Sequence, residues 1–351
     1  MNNRIIVGMS GGIDSTVTAL LLKERGYEVT GATLRMLGTD TDRECEYAAQ
    51  IADSLGIKHI VADCSQTFRK NVMDRFALEY SQGKTPNPCI ACNDRVKFPE
   101  LFKLAEENGC DRVATGHYAS IAAYTATGRY TLKKAADQAK DQTYFLYRLS
   151  QYELSRLVLP LGELTKEQIR SYARERGLKN RDKPDSQDIC FIRGRDYASF
   201  IRDEYAYESP PGRFVDCNGR TVGEHKGLIN YTIGQRKGLG IALGAPMYVA
   251  DKDRATNTVT LVPDDRLYSS ELIAEDACFT AIERLDRPMK VGAKTRHTRA
   301  ESPATVYPEA DGRIRVVFDA PHRAIAPGQA VVMYTADMLL GGATIISGVN
   351  V

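Results

Sequence analysis

The chain has little net charge, no long apolar run and no dense cysteine framework, and each shortage narrows what it can be. Across 351 residues, 47 Lys and Arg stand against 45 Asp and Glu, a formal balance of +2. So small a surplus neither requires nor forbids a polyanionic partner, which local basic patches would have to hold. No window approaches the ~18 to 20 apolar residues of a membrane-crossing helix. The first strand pattern starts within four residues of Met1, leaving no room for a secretory or transit segment, and a cytoplasmic location is expected. The eight cysteines (Cys45, Cys64, Cys89, Cys92, Cys110, Cys190, Cys217 and Cys278) are scattered rather than packed as in a secreted disulfide scaffold, so they are expected to be reduced. No internal repeat or low-complexity tract occurs, and the length suits two or three domains.

One more absence is informative. The run from Ile5 to Thr16, I-I-V-G-M-S-G-G-I-D-S-T, passes from an apolar strand through a Ser-Gly-Gly turn into a helix, but it lacks the Gly-Lys-[Ser/Thr] ending of a Walker A loop. What remains is still a phosphate cradle. Glycines let the backbone turn tightly and present bare N–H groups, and the new helix adds unpaired donors and the positive end of its dipole. Ser10 and Ser15 can add hydroxyls. Asp14 in the first helical turn suits the dipole by itself and could also hold Mg²⁺ beside a nucleotide. The S-G-G-x-D-S run resembles the PP-loop of ATP pyrophosphatases, which cleave ATP between its α and β phosphates. That resemblance makes Gly8, Met9, Ser10, Gly11, Gly12, Ile13, Asp14 and Ser15 the expected ATP-binding residues.

Strand and helix patterns alternate over the first ~150 residues: strands at 27–34, 59–62 and 112–115, helices at 43–55, 66–80 and 97–108. This predicts an α/β domain built on a doubly wound parallel sheet with ligands at the carboxyl ends of its strands. Residues 8–12, 34–36 and 116–117 all fall at such ends. A helical segment is expected over 151–176, with a capping-box start at Thr165 to Gln168. After Pro210-Pro211-Gly212 the texture turns to short strands at 247–251, 253–257 and 258–262, and after Pro263-Asp264-Asp265 to a further series at 313–318 and 330–334. The expected domains are 1–205 (catalytic, with a helical extension), 206–264 (small, β-rich) and 265–351 (β-barrel).

Thr85-Pro86-Asn87-Pro88-Cys89-Ile90-Ala91-Cys92-Asn93 reads as a proline-stiffened loop carrying C-x-x-C, and Asp185-Ser186-Gln187-Asp188-Ile189-Cys190-Phe191 supplies a third thiol. Together with T-G-H-Y-A (115–119), K-D-Q-T-Y-F-L (140–146) and Y-T-I-G-Q-R-K-G-L (231–239), these stretches resemble, in order and over nearly the whole chain, the tRNA-specific 2-thiouridylases. The resemblance implies a PP-loop domain akin to the adenine nucleotide α-hydrolases. It also implies ATP-dependent 2-thiolation of the wobble uridine in tRNAs for Lys, Glu and Gln. Adenylation turns the poor leaving oxygen on carbon 2 into AMP, Mg²⁺ would neutralise phosphate charge, and sulfur then arrives as a nucleophile. By motif, Cys190 would carry a persulfide supplied by a donor protein, a cysteine desulfurase or a relay protein. Cys92 would attack that persulfide and leave a Cys92–Cys190 disulfide. One branch of the family has Asp at the position of Cys89, read there as a general acid or base. The third thiol leaves a second route open, a [4Fe–4S] cluster on Cys89, Cys92 and Cys190, and zinc on the same thiols a third.

The resemblance also implies that Leu34 and Gly116 lie at the ATP site. It implies contacts to the RNA from Asn87, Pro88, Cys89, His117, Lys140, Asp141, Gln142, Arg296, His297 and Gln329, and a target base flipped out of its stack. The Lys237 to Ile241 stretch and the cations Arg284, Arg287, Lys290, Lys294 and Arg299 are further candidates for a phosphodiester backbone. Cys45, Cys64, Cys110, Cys217 and Cys278 match no motif and are read as structural.

Overall fold

The computed structural model describes residues 3–181, 188–192 and 194–350. β1 (Arg4–Gly8) is central because Ile5, Ile6 and Val7 are fully buried, each such side chain being worth on the order of 1.5–3 kcal/mol. β2 (Glu28–Arg35), β3 (Lys58–Asp63), β4 (Arg112–Ala114) and β7 (Leu157–Val158) complete a parallel sheet in the order β3-β2-β1-β4-β7. Strand order reverses between β1 and β4, which opens a crevice at their carboxyl ends. α1 (Ile13–Glu24) and α2 (Asp42–Ser54) follow β1 and β2.

Three sequence expectations change. The segment expected to be helical is interrupted: a helix at Gln151–Arg156 gives way to β7 before the helix Lys166–Glu175, whose Thr165/Gln168 capping box is present. The apolar Leu157 and Val158 pair with Val113 and Ala114, and that pairing overrides local helix propensity. Secondly, of the residues expected as a strand at 253–257, only Asp253 is in one, and 254–257 form a hairpin turn. Asp253 accepts from the Ala255 N–H at 2.8 Å, and Asn257 takes a positive φ between β10 (Tyr248–Asp253) and β11 (Thr258–Val262). Thirdly, the C-x-x-C lies on a helical turn, Pro88–Cys92, because Asn87 caps it and proline occupies its first position.

β10 and β11 join β8 (Gly212–Val215) and β9 (Thr221–His225) in a four-stranded sheet. β12 (Tyr268–Phe279), β13 (Met289–Lys294), β14 (Ser302–Pro308), β15 (Ile314–Arg323), β16 (Ala330–Thr335) and β17 (Met338–Asn350) form a six-stranded barrel, closed where β12 pairs with β17. A hairpin from the first domain, β5 (Ala119–Ala123) and β6 (Tyr130–Lys134), extends that sheet through Lys133 opposite Met338. The barrel is thereby joined to the segment that follows Gly116 and His117. Among the described residues no helix is long and apolar enough to cross a membrane.

Candidate functional site

The phosphate loop is built from both sides. Met9 N–H donates to the Ala32 carbonyl at 2.8 Å and the Met9 carbonyl accepts from Thr33 Oγ1 at 2.9 Å, which fixes the strand end. Gly11 has φ +69°, a conformation that favours glycine, and Gly12 caps α1 without a side-chain bond, so the first-turn donors stay available. Ser15 Oγ accepts from the Ser10 N–H at 3.2 Å and donates to the Gly12 carbonyl at 3.1 Å. Met9 and Ile13 are buried, so they can offer a ligand only backbone. Gly116 lies against α1, where a Cβ would stand 2.9 Å from the Asp14 carbonyl carbon, and Leu34 is half-buried at the end of β2.

Asp14 is the centre of a constellation that the motifs did not reveal. Lys166 Nζ donates to both of its carboxylate oxygens, at 2.8 and 2.9 Å, and Tyr118 Oη donates to Oδ1 at 2.8 Å. Lys166 is buried and reaches Asp14 from the first turn of a helix 152 residues further along the chain. Asp14 thus already holds a cation, and its engaged oxygens do not fit a ready Mg²⁺ ligand set. Asn180, also buried, donates to the Gly11 carbonyl at 3.2 Å and to Thr16 Oγ1 at 2.7 Å. A signal for Lys166 did exist, since a basic residue in the first turn of a helix opposes the dipole and calls for a tertiary partner.

The thiols form the second half of the site. Cys92 and Phe191 pack in one cluster with Leu34 and Met36 at the end of β2. Cys89 and Cys190 are exposed and Cys92 half-buried, yet neighbouring protein desolvates all three thiols. Burial raises each thiol, and the mutual influence of Cys92 and Cys89 helps push Cys190 up to about 11. The three are therefore electrostatic neighbours. Lys97 opposes the shift at every one of them and also acts on His117, which makes it the common cation of the site. A π turn over Asn93–Lys97 explains this, because residues five apart, Cys92 and Lys97, then share a face as they would not in an α-helix. Among the described residues no group of three His, Cys, Asp or Glu side chains could hold a metal ion, so the thiols do not fit a cluster as arranged. Asp185, Ser186 and Gln187 lie outside the described residues.

His117 is stacked on Phe98 at 5.8 Å and bonded through Nδ1 to Thr115 Oγ1 at 2.8 Å, and burial followed by Lys97 keeps it neutral. Asp141 is buried and accepts from the Ala135 N–H at 2.8 Å and from Thr143 Oγ1 at 2.5 Å, so its carboxylate frames the loop that carries half-buried Lys140. Gln142 Oε1 accepts from the Tyr118 N–H at 2.9 Å, linking this loop to the Asp14 constellation. The barrel residues reach the same region. His297 Nε2 lies 3.2 Å from the Asp141 carbonyl and its ring packs, tilted, against Phe145 at 4.4 Å between centroids, and Gln329 Nε2 donates to the Thr85 carbonyl at 2.7 Å, just before Asn87 and Pro88. Cys45, Cys64 and Cys110 are buried and Cys278 half-buried, but Cys217 is exposed. Its turn is formed by Asp216, which accepts from the Asn218 and Arg220 N–H groups, so a packing role does not hold there.

Three family descriptions cover the chain: tRNA methyl transferase HUP domain over residues 3–194, tRNA methyl transferase PRC-barrel domain over 198–263 and aminomethyltransferase beta-barrel domain over 269–345. A tRNA-specific 2-thiouridylase MnmA of Acetivibrio thermocellus is 48% identical over 97% of this chain and 99% of its own length. The protein of the same name from Clostridioides difficile is 44% identical over 98% of each. Among solved structures, a 4-thiouridine synthetase–RNA complex with bound ATP matches 58% of this chain and 50% of its own at 17% identity, with a TM-score of only 0.38.

Proposed function

From the premise that this chain belongs to the tRNA-specific 2-thiouridylase family and is a tRNA sulfurtransferase, we propose that it thiolates carbon 2 of the wobble uridine in tRNAs for Lys, Glu and Gln by a persulfide relay. ATP lies with its phosphates on residues 10–15. The uracil O2 attacks the α-phosphorus, pyrophosphate leaves, and Lys166, oriented by Asp14 and Tyr118, stabilises the charge that develops on the phosphates. His117, neutral and at the mouth, is suited to read the flipped base, and Asn87 to Cys89 border it.

Cys190 carries the outer sulfur as Cys190–S–SH. The Cys92 thiolate attacks Cys190 Sγ, the Cys92–Cys190 bond forms, and the bond to the outer sulfur breaks to release HS⁻. The sulfane sulfur is reduced while the two thiols are oxidised by two electrons. HS⁻ adds to carbon 2, AMP departs with the oxygen, and an external dithiol reopens the disulfide. Lys97 favours each thiolate against the burial that opposes it.

The observation that supports this reading is that Cys92 packs in one cluster with Ile189 and Phe191, the residues on either side of Cys190, and with Leu34 at the carboxyl end of β2. Thiolation of unmodified tRNA for Glu, with ATP and a persulfide donor, tests it in metal-free protein. Activity with a trapped persulfide on Cys190 is expected. Activity that tracks iron and sulfide content, and falls in Cys89→Ala, would replace the relay with the cluster route.

A further inference from the structure

Arg296, Arg299 and Arg323 converge where the barrel meets the central sheet. Arg296 Nη2 donates to the carbonyls of Ile233 at 2.9 Å and Ala324 at 3.3 Å, and Arg299 Nη1 donates to the carbonyl of Arg323. Arg323 reaches Asp264 through Nη2 at 2.7 Å and Nε at 3.0 Å. Among the described residues Asp264 is the one carboxylate paired with these three guanidinium groups. Two positive charges therefore remain without a carboxylate in a site partly withdrawn from water, where like charges repel more strongly than at an open surface. The carbonyl bonds fix the planes of Arg296 and Arg299 but use only part of their five donors.

Gly234, with φ +86°, carries its turn close against this group: a Cβ there would stand 3.0 Å from the Ala324 Cβ and 3.8 and 3.9 Å from Arg323 Nη1 and Arg296 Nη2, so the two guanidinium groups border the same turn. Arg236 and Lys237, exposed on the same turn, extend the positive surface outward. Planar, pre-oriented guanidinium groups with surplus charge and free N–H donors match the tetrahedral oxygens of a phosphate.

We infer that Arg296, Arg299 and Arg323 form a seat for one phosphodiester group of an RNA backbone, with Arg299 and Arg323 as its additional ligands. This rests on the tRNA substrate proposed above. The seat spans the junction between central sheet and barrel, so a phosphate bound there draws the two together on the RNA.

His322 offers a reporter beside the seat. Its ring bonds Thr295 Oγ1 at 2.7 Å and Ser302 Oγ at 3.0 Å and stacks on Phe318 at 4.6 Å. Burial, then Arg299 and Arg296, hold its pKa at about 4. An anion among the guanidinium groups offsets their effect and raises it.

The test uses the full-length protein. The dependence of tRNA affinity on KCl is measured by filter binding for wild type, Arg299→Gln and Arg299→Lys, and His322 is titrated by side-chain NMR with inorganic phosphate and with tRNA. Arg299→Gln is expected to flatten the log–log salt slope by about 0.7 to 1 and to weaken all tRNAs by a similar factor, while Arg299→Lys keeps the wild-type slope, because its charge is retained, and binds more weakly because the planar fork is lost. Its melting temperature is expected not to fall, because a self-repelling charge has been removed. An unchanged slope in Arg299→Gln, with wild type binding tRNA, overturns the proposal. A His322 shift with inorganic phosphate but no slope change marks a free-anion site and also overturns it. If wild type binds no tRNA, the substrate reading fails. A His322 shift with inorganic phosphate then still supports the anion seat, and no shift overturns it too.

Discussion

The phosphate loop and the thiol-bearing segments sit at the same carboxyl end of the parallel sheet, but their side chains are held in opposite ways. Around the loop these side chains are already committed, while the first-turn N–H donors stay available: Asp14 to Lys166 and Tyr118, Asn180 to Gly11 and Thr16, Ser15 to Ser10 and Gly12. The three thiols instead have raised pKa values and a cation, Lys97, that acts on all of them without pairing to one. Nucleotide activation profits from donors that need no rearrangement when charge develops. Sulfur transfer makes and breaks bonds at the sulfur atoms themselves, so those atoms must stay uncommitted between steps.

The sharpest way to separate the two halves is to remove the sulfur chemistry alone. Cys92→Ala and Cys190→Ala are each expected to lower thiolation by roughly 10⁴ or more while tRNA-dependent pyrophosphate release continues. Equal loss of both activities would mean that the thiols and the loop act as one unit.

Next in size is the converse. Asp14→Asn leaves the buried Lys166 ammonium without its carboxylate, at a cost of about 3 kcal/mol in a denaturant titration, and pyrophosphate release falls by about 10². Asp14→Asn combined with Lys166→Met is expected to regain most of the stability and none of the activity. Recovery of both would reduce the pair to a structural strut.

A smaller effect is expected at Lys97→Met. Removing the cation lets burial raise the thiols further, so less thiolate is present at a given pH. The rate of Cys190 alkylation in wild type should climb as pH rises toward about 11. In Lys97→Met the curve should move to higher pH, and alkylation at pH 8 should slow about ten-fold for each pH unit that the curve moves. A curve displaced to lower pH would contradict the assigned role. Smallest is Asn180→Ala, which removes two buried hydrogen bonds to the loop and should cost about 1–2 kcal/mol in thermal unfolding, with a modest rise in KM for ATP.

Legibility followed the range of the interaction. The strand, Gly-Gly turn and helix of residues 5–16 could be read directly, because glycine freedom and helix-end donors are local properties. So could the capping box at Thr165. The β7 interruption could not, since two apolar residues next to a short helix become a strand only when β4 offers an edge. The barrel residues show the same limit: Arg296, His297 and Gln329 were singled out only through the substrate that the family resemblance implies, and their bonds to Ile233, Asp141 and Thr85 depend on how the chain folds.

By itself the sequence determined the phosphate-binding turn, the placing of Cys89 and Cys92 on one short segment, and the family to which five ordered motifs point. Each is a matter of neighbours along the chain. The tertiary structure alone decided that Lys166 is the partner of Asp14, that a π turn separates Cys92 from Lys97, and that Ile189 and Phe191, on either side of Cys190, pack in one cluster with Cys92. Charges and thiols act through space over a few ångströms, and only the folded chain fixes which distant residues stand that close.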